Sequence, residues 1–269
     1  MKVFYDGTLG EPQLDHPEGI AVHRDGSVWC GGERGQIFRI EPDGSALEQI
    51  ASTGGFCLGL AFGPDNALYV CDLKHKAVFR LVEGSDRPVR FAENFRIPNS
   101  LCFDTEGRLY VSDSHGFKEP GPGIRRFEPD GSGGPWYDEP LDFANGLALT
   151  PDGRSLCVAE TFAGRISRVG LDDGAKADVV KLAGVLPDGL AFDVEGNLYV
   201  ACYEPSQVLR VTPGGVVETV AVDPEAHALC HPTNIAFRGT TLFASNLGRW
   251  HVTAIELDVE GLPLRGRAR

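Results

Sequence analysis

Helical periodicity is what this 269-residue chain lacks most: no long stretch carries apolar residues at helical spacing, which argues against a helix-built fold. The opening segment MKVFYDGTLG has no apolar core of the secretory kind, and no segment approaches the length of a membrane span. The expectation is a cytoplasmic chain with no membrane partner. Basic residues are short as well: 25 Lys and Arg against 38 Asp and Glu leave a net charge of −13. A nucleic-acid partner needs a basic face and is excluded on that ground. The seven cysteines include no CxxC pair, so zinc held by paired thiolates has no signal. Cys30, Cys71, Cys157 and Cys202 sit in or beside short apolar runs, as thiols used as small core hydrophobes do. GxSxG, HExxH and GxxxxGK[ST] are absent too, which leaves serine-elbow, zincin and P-loop chemistry without support.

What the chain has is glycine and proline, 34 and 18 residues, and a repeat. Six segments align: EGIAVHRDGSVWCGG from Glu18, LGLAFGPDNALYVCD from Leu58, NSLCFDTEGRLYVSD from Asn99, NGLALTPDGRSLCVAE from Asn145, DGLAFDVEGNLYVAC from Asp188 and TNIAFRGTTLFASN from Thr233. Each is an apolar strand, a tight turn and a second strand, and a third strand follows, as in GQIFRIEPDGS. Arg39, Arg80, Arg126, Arg168 and Arg210 recur on those third strands and read as solvated edge charge. A more variable fourth stretch, such as VVETVAV at 216–222, leads to the next unit.

Four antiparallel strands repeated every 40–46 residues are the signature of an all-β, six-bladed β-propeller, expected here as one domain over 1–269. The last unit has no fourth strand after ELDVEGLPLRGRAR, so KVFY at 2–5 is expected to complete it and close the ring.

The first strand of each blade lines the central channel, so the six starting residues converge on one rim. Glu18, Asn99, Asn145 and Asp188 would bring two carboxylates and two amides together; Leu58 and Thr233 are not expected as ligands. Each of the four alone also fits a turn cap. Together they form a hard, oxygen-only donor set suited to one divalent metal, Ca²⁺ first, with Zn²⁺, Mg²⁺, Mn²⁺ and Fe²⁺ as alternatives. On the same rim, the loop SDSHGFKEPGPG (112–123) offers His115 and Phe117 for substrate contact, or is simply surface. Phe143 walls the pocket or packs, and Asn99 is a further candidate for substrate contact. Asp113 and Glu160, at the ends of second strands, support the site or bond loop backbone. His16 and His231 read as turn residues.

At these residues the chain resembles the senescence marker protein (regucalcin), gluconolactonase and luciferin-regenerating enzyme family. HPEGIAV (16–22), ANGLALTPDG (144–153), LPDGLAFDVEGNLYVA (186–201) and PTNIAFRG (232–239) carry the resemblance. It implies a six-bladed propeller with one divalent metal at the channel mouth, held by Glu18, Asn145 and Asp188, with Asn99 near or on it. It also implies a lactonase acting on a small-molecule lactone. Asp188 is then general base or ligand, with nucleophile as a third option. A monomer or weak homo-oligomer is expected. Sugar-lactone members carry an arginine two residues before the asparagine matched by Asn99; here that place is Ile97, with Arg96 one step further off. Organophosphate or phosphoester hydrolysis on the same metal, and a non-catalytic calcium- or ligand-binding propeller, are the alternatives. Strictosidine-synthase-like propellers lack this metal set, and Glu18 with Asp188 speaks against them.

Overall fold

In the computed structural model, which describes residues 1–263, six four-stranded antiparallel sheets form the ring of a six-bladed β-propeller. Among the described residues there is no helix. Blades 1 to 5 run in chain order from inner to outer strand, and blade 6 takes its outermost strand from the N-terminus: Lys2–Asp6 pairs antiparallel with His251–Glu256. The expected closure by residues 2–5 therefore holds. Its physical basis is the pairing of a strand edge that would otherwise be left open. Residues 264–269, the end of the segment read as lacking a fourth strand, lie outside the described residues.

The core is the set of six interfaces between blades. Leu68 and Val70 pack with blade 1, while Tyr69 and Cys71 on the same strand pack with blade 3. Period-two alternation puts successive side chains on opposite faces of a sheet, and here both faces are covered. That is why the second strands read as unbroken apolar runs, buried throughout in LYVCD (68–72) and LYVSD (109–113). Six of the seven cysteines are buried and all are free thiols. Burial pushes the Cys30 thiol up to about 12, as expected of a packing residue rather than a nucleophile.

Two local devices draw the inner strands together at the channel mouth. In blades 2 to 6 the register between first and second strands breaks at the starting residue, as between Ala144 and Leu147 or between Pro187 and Leu190. Two residues, Asn145-Gly146 or Asp188-Gly189, then face one across the ladder. Such a bulge re-aims the side chain it carries. The second device is the residue after the starter. A methyl group on Gly19, Gly59, Gly146 or Gly189 would overlap the backbone of the next blade's starter: Leu58, Asn99, Asp188 and Thr233 respectively. Where this residue is not glycine it bonds across the gap instead. Ser100 Oγ accepts the Leu147 N–H at 3.2 Å, and Asn234 Nδ2 donates to Glu18 O at 3.1 Å.

Candidate functional site

The polar starters form a buried girdle at one end of the channel. Glu18, Asn99, Asn145 and Asp188 are each about one-twentieth exposed. Thr233 is buried and takes part in the ring's seam: Thr233 Oγ1 and Ser245 Oγ each lie 2.6 Å from the Glu18 carbonyl oxygen, on which the chain's end meets its beginning. Leu58 contributes only packing to the core.

Burial lifts the Glu18 carboxyl well above its usual range, and the charge of Asp188 lifts it further. Burial does the same to Asp188, opposed by the neighbouring Asn145 side chain. The two carboxylates thus sense each other across blades 1 and 5, as two acids sharing a low-dielectric site must. Among the starters, three buried oxygens have no hydrogen-bond partner: Asn99 Oδ1, Asn145 Oδ1 and Asp188 Oδ1. An unpartnered buried acceptor is costly, and three at one mouth need a common explanation. Their donor chemistry, carboxylate and amide oxygen, fits a hard divalent cation. Among the described residues no group of three or more His, Cys, Asp or Glu side chains could hold a metal, so a cation here would depend on the asparagine amides.

The amides are held from behind. Asn99 Nδ2 donates to Ser114 Oγ at 3.0 Å, and Ser114 Oγ donates to the Ala144 carbonyl at 2.6 Å. Asn145 Nδ2 donates to Thr161 Oγ1 at 3.3 Å, and Thr161 Oγ1 donates to the Pro187 carbonyl at 2.8 Å. Asp113 and Glu160 bond loop backbone. Asp113 accepts the Arg96 and Ile97 N–H groups, and Glu160 accepts that of Asp142. These carboxylates fix the loops that enter the blade 3 and blade 4 starters. His16 and His231 have left-handed backbones, with φ of 43° and 48°. Their rings bond the carbonyls of Leu247 and Tyr203, and so anchor loops.

Phe143, two residues before Asn145, and Phe162, next to Thr161, belong to an aromatic cluster. Phe162 packs edge-on against both Phe117 and Phe143, with ring centroids 4.6 and 4.8 Å away. Phe117 is 66 % exposed at the tip of the 112–123 loop, an unusual position for a phenyl ring. His115 lies further down that loop, its ring over Gly121. Arg96 bridges to Glu119 of the loop at 3.5 Å. Sequence reasoning missed Phe162, Ser114, Thr161, Asn234 and Tyr203; burial raises the Tyr203 phenol, and the charge of Asp188 raises it further. The available signal was position: Ser114, Thr161 and Tyr203 each directly follow a blade's second-strand repeat segment.

Residues 57–244 match the family described as the SMP-30/Gluconolactonase/LRE-like region, and residues 8–40 match a strictosidine synthase-like N-terminal segment. A relative named lactonase drp35, from Staphylococcus aureus (strain MW2), is 28% identical over 253 residues, which cover 85% of this chain and 78% of that protein. Among solved structures, a gluconolactonase from Xanthomonas campestris superposes with a TM-score of 0.76 at 21% identity, over 90% of this chain and 86% of the other. The calcium-binding protein regucalcin from Agrobacterium tumefaciens superposes with a TM-score of 0.73 at 17% identity, over 92% and 93%. At these identities the structural likeness speaks for the fold.

Proposed function

The chain belongs to the SMP-30/gluconolactonase/LRE-like family, and from that premise we propose that it hydrolyses a small lactone with the help of one divalent cation, Ca²⁺ first, held by Glu18, Asn99, Asn145 and Asp188. The observation that carries this reading is the trio of unpartnered oxygens on Asn99, Asn145 and Asp188, beside two buried carboxylates that repel each other. The lactonase relative supports the reaction class.

When bound, the cation polarises the ring carbonyl as a Lewis acid. Glu18 and Asp188 supply the negative charge of the site, and Asn99 and Asn145 supply neutral amide oxygens. Asp188 either takes the proton of the attacking water as general base or serves only as ligand. Phe117, Phe143 and Phe162 shield the apolar side of the substrate from water. The water oxygen bonds to the carbonyl carbon, the ring C–O bond breaks, and its oxygen leaves as a hydroxyl. The new carboxylic acid ionises at neutral pH, so each turnover releases one proton.

That proton is the readout. Protein stripped with chelator is expected to be silent on a panel of lactones in a pH-indicator assay, and Ca²⁺ is expected to restore acid release. Calcium binding without metal-dependent acid release on any lactone would overturn the enzyme reading and leave a calcium-binding propeller. Asp188→Asn that keeps the metal and loses turnover identifies the base; Asp188→Asn that loses the metal identifies a ligand.

A further inference from the structure

We infer that Ser114 and Thr161 are positioning residues: they lock the Asn99 and Asn145 amides with oxygen toward the channel and so make them cation donors. The inference rests on the proposed cation site and concerns how the chain holds it ready.

Hydrogen-bond direction carries the argument. A carbonyl oxygen can only accept, and a hydroxyl has one hydrogen to give. Ser114 gives its hydrogen to Ala144 O, and Thr161 gives its own to Pro187 O. Each hydroxyl can therefore only accept from its asparagine, which must present NH₂ to it and turn Oδ1 the other way. A flipped amide would set two acceptors face to face, and a flipped Asn145 would bring its oxygen against the acid group of Asp188 as well. The unpartnered Oδ1 atoms of both asparagines are the other half of this arrangement.

The repeat supplies an internal control. In blades 2, 3, 4 and 6 the equivalent position is marked by a backbone bond to the residue two before the starter. Leu73, Ser114, Thr161 and Leu247 donate in this way to Phe56, Ile97, Phe143 and His231. Of these four blades, the two that start with asparagine carry a hydroxyl there, while those that start with Leu58 and Thr233 carry leucine. In blades 1 and 5, whose starters are Glu18 and Asp188, the residue after the second-strand segment is Glu33 or Tyr203. A carboxylate has two equivalent oxygens and needs no such orientation; an amide does. Both hydroxyls are almost wholly buried, and each ties its amide to the backbone of the next blade.

The test is Ca²⁺ affinity by titration calorimetry on full-length Thr161→Val and Ser114→Ala, with Thr161→Ser and Ser114→Thr as rescues. Outer-shell partners of ligands typically matter 10–100-fold in affinity, and about that loss is expected for each variant, with recovery in the rescues. A second readout needs no metal. In chelated wild type the Asn99 and Asn145 side-chain NH₂ signals are expected to be protected from hydrogen exchange, and each is exposed by loss of its own hydroxyl. Unchanged affinity with unchanged protection overturns the latch while the cation site stands. Wild type that binds no divalent cation overturns both. Should Thr161→Val fail to fold, Ser114→Ala and the wild-type exchange pattern decide.

Discussion

Asp188 raises the proton affinity of Glu18 across the channel mouth, although one belongs to blade 5 and the other to blade 1. Two buried acids held this way are a standing strain on the metal-free protein. Glu18→Gln removes one charge and keeps the shape. It is expected to stabilise chelated protein at neutral pH by about 1–2 kcal/mol, roughly 2–8 °C at this size, and to weaken Ca²⁺ binding. Thermal melts with and without Ca²⁺ check both halves; a lower melting temperature in chelator would refute the strain.

Gly146 lets blade 4 approach the Asp188 backbone. Gly146→Ala forces the inner strands apart at the donor set, and a cost of about 1–3 kcal/mol in urea unfolding is expected, as for other overpacked sites. Gly134→Ala is the control, since a methyl there meets open space. Equal stability in the two variants would show that the close approach is unimportant.

Glu160 is fully buried and holds blade 4 together. Burial raises its pKa, but hydrogen bonds from Arg165, Lys176, Ser167 and the Asp142 N–H outweigh that and bring it from 4.5 to about 2. A carboxyl depressed in the folded state contributes stability above its unfolded pKa. That contribution, about 3 kcal/mol by the size of the shift, is lost as pH falls from about 4.5 towards 2. Glu160→Gln is expected to be less stable at pH 7 by that order and to show a flatter decline through that window. Parallel acid-unfolding curves for the two proteins would contradict this.

Under the proposed function Phe117, 66 % exposed and edge-on to Phe162, would cover apolar substrate at the mouth. Phe117→Ala is expected to raise KM about 3- to 10-fold for lactones with an apolar substituent, the loss of one partly buried aromatic contact. The melting temperature should stay within a degree or two. An effect on kcat alone, or none on KM, would remove Phe117 from the substrate site.

Much of this was legible from the chain itself. The spacing of Glu18, Leu58, Asn99, Asn145, Asp188 and Thr233 announces six blades, and the spare KVFY strand announces their closure, because strand pairing and burial on both faces write a regular pattern into sequence. The same alignment singled out the four polar starters. What tertiary structure alone decided is how they are held. The bulges at Asn145 and Asp188 lie between strand pairs that period two would keep in register. The latches run from Ser114 to Ala144 and from Thr161 to Pro187, between the side chain of one blade and the backbone of the next. The aromatic cluster of Phe117, Phe143 and Phe162 likewise joins two blades. Side-chain direction and hydrogen-bond partner are long-range properties, and a linear pattern records only the local half of each.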